Sequence, residues 1–138
     1  MKLHIVKPEQ ESIENYTRLD VTSNTLDLSA VSDNECIAIL ANDILDVFNL
    51  DNVHAVIEQL VRKLRMGGEL VIGGTDIRLF CKFVANDQID EPTAARLIGN
   101  AQSMTTFDQT SNSLVALGLN ILSSQIMGIH YEIKASRG

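Results

Sequence analysis

Residues 35–76 constrain the fold of this chain more than any other part. ECIAILAN is a short apolar run and DILDVFNLDN is a mixed polar and apolar turn. VHAVIEQLVRKLRM follows, then Gly67-Gly68 and a second apolar run, ELVIGG, which closes on Thr75-Asp76. Val53, Val56, Ile57, Leu60, Val61 and Leu64 fall at helical spacing and form one apolar stripe, while Glu58, Arg62, Lys63 and Arg65 lie off it. Asp51 or Asn52 suits the N-cap, the basic residues of the last turns suit the helix dipole, and Gly67-Gly68 reads as the stop. Strand, helix, strand in this order makes a right-handed crossover between neighbouring parallel strands.

The remaining segments attach to that unit. KLHIVK reads as a buried strand ended by Pro8, and YTRLDV as a second strand with Asp20 near its carboxyl end. The Ser/Asn/Asp-rich stretch that follows reads as loop, with room for a short strand at 26–28. IRLFCKFVAND and EPTAARLIGNAQ read as helices, the second with Pro92 in its first turn. SMTTFDQ reads as loop and TSNSLVALG as a short helix ending at Gly118. NILSSQI and GIHYEIKAS are two strands joined at Met127-Gly128, a connection short enough to require antiparallel pairing. The expected fold is therefore α/β: a reduced doubly wound, mostly parallel, Rossmann-type sheet in one domain over 1–138, with a C-terminal antiparallel hairpin. Only about nine residues separate the first two strands, whereas a full helical crossover needs about a dozen or more. The first helix of a doubly wound fold is thus absent or cut to a turn.

Composition narrows the function classes. The net charge of −7 with scattered Lys and Arg disfavours binding to a nucleic-acid backbone or an anionic membrane. No run approaches the ~18 apolar residues of a membrane span. MKLHIVKPEQ is too short an apolar run for a secretory signal, which points to a soluble, cytoplasmic protein. Cys36 and Cys81 each sit in an apolar segment and read as reduced core residues. No His or Cys spacing suits zinc, and Asp43, Asp46 and Asp51 lack the glycine and terminal glutamate of a calcium loop, so no metal is expected.

In this order the pieces resemble the small stand-alone type of class I S-adenosylmethionine-dependent methyltransferase. The residues that carry the resemblance are MKLHIVKP, YTRLDV, DILDVF, LRMGGELVI and Thr75-Asp76, with the terminal GLNILSSQIMGIHYEIKASR. The resemblance implies S-adenosylmethionine as cofactor, with Asp20 on the ribose hydroxyls and Asp27 near the adenine edge. The chain also departs from that pattern. Where the family has a Gly-x-Gly turn for close approach of the cofactor, this chain has Val6-Lys7-Pro8-Glu9, and Lys7 and Glu9 put side chains where the cofactor would lie. The family's Leu-Glu-His turn has become Leu45-Asp46-Val47.

Each candidate residue has two readings. Asp20 is a ribose ligand or an ordinary strand-end acid, and Asp27 an adenine neighbour or a solvated loop acid. Asn42 and Asp43 follow a central strand, where open α/β sheets place ligands, and Asp43 is the candidate to orient or deprotonate a methyl acceptor. Their other reading is turn chemistry. Asp76 either lines the cleft or N-caps the helix from Ile77, the cap being favoured, and Gly73-Gly74 permits close approach or forms a turn. Three functions follow: a methyltransferase-like protein with a degenerate cofactor site, a non-catalytic interaction module that binds a homodimer mate or another protein through surface left uncovered by the short first crossover, or a sensor of a different small ligand at the same sheet edge.

Overall fold

A computed structural model describes residues 1–22 and 24–138. Among these residues six strands form one sheet: β1 (Lys2–Val6), β2 (Thr17–Asp20), β3 (Cys36–Ala41), β4 (Leu64–Thr75), β5 (Leu119–Met127) and β6 (His130–Arg137). Among the described residues four α-helices accompany them: α1 (Leu50–Lys63), α2 (Ile77–Ala85), α3 (Glu91–Asn100) and α4 (Phe107–Ala116). The strand order is β2-β1-β3-β4-β6-β5. The first four strands are parallel, and β6 runs antiparallel to both β4 and β5. The expected mostly parallel α/β sheet with a C-terminal hairpin is thus the fold, and β1 connects to β2 without a helix.

The core follows from two periodicities. Val53, Val56, Ile57, Leu60 and Val61 are the buried stripe of α1, and they meet Leu3, Ile5, Ile39, Leu70, Ile72 and Ile133 from alternate positions of the strands. Leu114 of α4 joins this cluster, so α1 and α4 cover the same face of the sheet. On the opposite face Ala38, Leu40, Val71 and Lys134 are half-buried. Helices α2 and α3 pack on each other through Phe80 and Ala94, and on Ile129 in the hairpin turn. They stand beyond the strand ends as a wall.

Several local expectations are corrected. Helix α1 begins at Leu50, and Asn49 rather than Asp51 or Asn52 is its N-cap, without a side-chain bond. It ends at Lys63, not at Gly67-Gly68. Leu64 is already extended and pairs with Cys36, and the two glycines lie inside β4, where the register with β3 slips between Cys36 and Ala38. Gly67 takes φ +78 there, and a Cβ on Gly68 would stand 2.8 Å from the Cys36 carbonyl oxygen. The glycines therefore absorb a strand irregularity instead of stopping a helix. No strand forms at 26–28; Leu28 is buried through loop packing alone. Helix α4 begins at Phe107, three residues ahead of TSNSLVALG, because Thr106 caps it through the Gln109 N–H. The hairpin turn is Gly128-Ile129. Cys36 is buried, but Cys81 is exposed, since α2 buries only Phe80.

Candidate functional site

The carboxyl ends of β2, β1, β3 and β4 form one rim. Val6 pairs with Asp20, and continuing the pairing of His4 with Leu40 aligns Val6 with Asn42. Asp20 and Asn42 therefore share the rim at two strand spacings, roughly 10 Å. Asp43, which follows Asn42, adopts φ +58, a left-handed conformation that Asp tolerates. It turns the chain from β3 into the short 3-10 turn Leu45–Val47.

The rim groups interact in series. Lys7 Nζ lies 3.9 Å from one Asp43 oxygen, and His130 Nδ1 lies 3.8 Å from the other. Both pairs are half-exposed, so each is worth at most about 1 kcal/mol. Thr75 donates its N–H to Asp46 at 2.9 Å and its hydroxyl to the other oxygen of the same carboxylate. Thr75 has only one hydroxyl proton, so the 3.3 Å contact with His130 makes Nδ1 the donor. The backbone oxygen of Asp46 accepts from Gln102 and Ser103, which ties the wall beyond α3 to the rim. A cavity of about 180 Å³ lies between them, lined by Lys7, Asp43, Asp46, Thr75, Met104 and His130 among others.

Gly73 and Gly74 are used for close approach, and what approaches is the protein itself. A Cβ on Gly73 would lie 2.2 Å from the Tyr131 carbonyl oxygen, and one on Gly74 would lie 3.0 Å from the Asp46 carboxylate. Asp76 is the N-cap of α2, accepting from Arg78 and Leu79, and its other oxygen accepts from the N–H of Phe107 at 2.9 Å. One buried carboxylate thus fixes the starts of α2 and α4. Beneath it the hydroxyl of Tyr131 is shared by Thr105 and Thr110, and burial pushes its pKa up against those two hydrogen bonds.

The turn after β1 is closed on itself. The N–H of Lys7 goes to the Gln10 side chain, that of Gln10 goes to the Lys7 carbonyl, and Pro8 has none. Arg18 completes the closure: its guanidinium donates to the carbonyls of Lys7, Pro8 and Gln10 and to Asp20, with Nε 2.6 Å from the carboxylate. A cavity of about 450 Å³ above this turn is lined by Lys7, Pro8, Glu9, Val21, Asn24, Val47 and Asn100.

Of the residues chosen from the sequence, Asn42 and Asp43 line one cavity of about 190 Å³ with Gln125, Met127, His130 and Glu132. Asp20 is on the rim but engaged by Arg18. Asp27 is not brought to the rim. It shares a cavity with Gln59, Arg62 and Lys63 at the far end of α1, and hydrogen bonds from Ser29 hold its carboxyl below the usual range. Arg18 and His130 were given no role from the sequence, and Thr75 was quoted only with Asp76 as the close of its strand. Arg18 and Asp20, two apart on one strand, carry a same-face signal; His130 carries none, because the hairpin brings it to Thr75 from 55 residues away.

No protein-family model and no curated protein matches the sequence. Solved structures match the fold. An O-methyltransferase family protein from Burkholderia thailandensis has a TM-score of 0.61 at 16% identity, over 87% of this chain and 36% of that one. The magnesium protoporphyrin IX methyltransferase of Synechocystis, solved with bound SAH, has a TM-score of 0.61 at 12% identity, over 89% and 52%. A SAM-dependent methyltransferase from Thermotoga maritima has a TM-score of 0.59 at 14% identity, over 89% and 64%. The chain has the class I SAM-dependent methyltransferase fold and spans between 36% and 64% of the length of these structures. At such identities the likeness is one of fold.

Proposed function

We propose that this chain is a methyltransferase-like protein with a degenerate cofactor site, acting as a non-catalytic interaction module. The observation that carries the reading is the closed turn after β1. A cofactor bound over that turn needs backbone N–H groups and a free acid. Here the N–H groups of Lys7 and Gln10 are spent within the turn, and Asp20 is engaged by Arg18. The residues do not fit S-adenosylmethionine. One free charge-assisted hydrogen bond contributes roughly 1.5–3 kcal/mol, so even a released Asp20 would not replace a missing loop. Asp43, the residue suited to orient a methyl acceptor, is held between Lys7 and His130 instead. The half-exposed sheet face, the wall of α2 and α3 and the exposed β5 edge are surfaces left for binding.

The test is thermal unfolding with S-adenosylmethionine and S-adenosylhomocysteine at about 1 mM. A site with Kd of about 10 µM would add about 2.7 kcal/mol, or roughly 10 °C in Tm for a chain of this size. The expected shift is under about 1 °C for both compounds; a shift near 10 °C with either would overturn the reading.

A further inference from the structure

The two edges of the sheet differ in kind. The β2 edge is four residues long and carries Arg18 and Asp20, the charged, short design that discourages pairing with another chain. The β5 edge is nine residues long, LNILSSQIM, with no charge and no proline, and every residue after Leu119 is exposed. Ile121, Leu122, Ile126 and Met127 are 38%, 51%, 54% and 57% exposed. Only a single irregularity, an extra residue at Leu122, interrupts its pairing with β6.

The register decides what can cover this edge. Ser124 is opposite Ile133 and Ile126 is opposite Tyr131, so both lie on the face where Tyr131 bonds Thr110 of α4. Ile121 is opposite Ala135 on that same face, and Leu122, alternating with Ser123, falls there too. A symmetric antiparallel pair of identical strands must hydrogen-bond outward-facing residues to each other, so its two-fold axis passes through a residue. Placed at Ser124, the axis sets Leu122 of each copy opposite Ile126 of the other, with all four side chains on one face. Strand β5 has no charge to repel its own copy, and this self-complementarity points to a second copy rather than to a different partner.

We infer that the chain forms a two-fold dimer by antiparallel pairing of β5 with β5 about Ser124, giving one continuous sheet through both copies. This deepens the interaction-module reading by naming its partner, and it rests on that reading only for its purpose, because the pairing does not involve the cofactor rim. Since each copy carries −7, added salt screens the repulsion and tightens the dimer.

The experiment is light scattering on the full chain at about 100 µM, above the micromolar Kd that so small an interface supports. Wild type is expected at twice 15.2 kDa. Ile126→Lys and Leu122→Lys are expected at the monomer mass, and since both side chains are exposed their Tm stays within about 2 °C of a wild-type sample diluted to monomer. Registration is read in a Cys81→Ser background. Ser124→Cys puts two thiols across the axis at about 4.5–5.5 Å between Cα atoms, within disulfide range, whereas Asn120→Cys puts them more than ~20 Å apart. Rapid oxidation to a cross-linked dimer for the first and not the second is the expected result. A wild-type monomer, or a dimer unaffected by both lysine variants, overturns the inference. A lack of S-adenosylmethionine binding leaves it untouched, so its failure and that of the cofactor reading are separable.

Discussion

Replacing Asp76 tests how one carboxylate holds the wall beside the rim. Asp76 is 5% exposed, and its two oxygens accept three N–H groups: Arg78 at 2.8 Å, Leu79 at 3.1 Å and Phe107 at 2.9 Å. Asp76→Ala removes the N-cap of α2, at about 1 kcal/mol, and a charge-assisted bond to the start of α4, at about 1.5–3 kcal/mol. The N–H of Phe107 is left part-buried and unpaired, so a total near 3 kcal/mol is expected, or about 10 °C in Tm. Asp76→Asn keeps the cap but turns a donor toward one of the N–H groups, and is expected to cost about 1.5–2.5 kcal/mol. Thr106→Ala, which removes a single cap bond to Gln109, is the reference at about 1 kcal/mol. Urea unfolding measures all three. If Asp76→Ala costs no more than Thr106→Ala, the carboxylate does not couple the two helices and the reasoning fails.

Three further outcomes follow from the same geometry. Gly73→Ala forces a methyl to 2.2 Å from the Tyr131 carbonyl in the middle of the sheet, and is expected to cost at least about 3 kcal/mol by urea unfolding or to prevent folding. Tyr131→Phe strands the Thr105 and Thr110 hydroxyls and should cost about 1–3 kcal/mol in the same assay. His4 is buried, accepts the N–H of Ile13 at Nδ1, and is held below its ordinary pKa of 6.5 by burial first and by the charge of Arg18 second. The unfolded chain therefore binds more protons than the folded one just below pH 6.5. The stability contributed by neutral His4 is complete above that pH and is lost as pH falls from 6.5 toward the folded value. Urea midpoints from pH 7.5 to 5.5 should fall for wild type and fall less for His4→Gln.

What the sequence disclosed is what local periodicity encodes. The α1 stripe, the alternation of the strands, the hairpin and the cap at Asp76 each depend on residues within a few positions of one another, and each is found. The glycine pairs were harder to read, because the same dipeptide can stop a helix or let two backbones meet. At Gly67-Gly68 and Gly73-Gly74 the deciding neighbours, Cys36 and Tyr131, are distant in sequence. The rim was legible at Asn42 and Asp43, which follow a strand end. It was not legible at His130, which reaches Asp43 only when the hairpin lies beside β4, whereas the engagement of Asp20 by Arg18, two apart on β2, was present as a same-face signal. Cys81 looked like core because its helix spacing is apolar, but α2 packs on too little to bury it.

Isothermal titration of the wild-type chain with S-adenosylhomocysteine tests the central claim most directly, because it reads the rim without requiring an acceptor or a reaction. A turn that spends its own donors, beside an acid already matched by Arg18, should give no saturable heat up to about 1 mM, a Kd weaker than about −4 kcal/mol of binding. One-site binding in the micromolar range, weakened tenfold or more by Asp20→Ala, would contradict it.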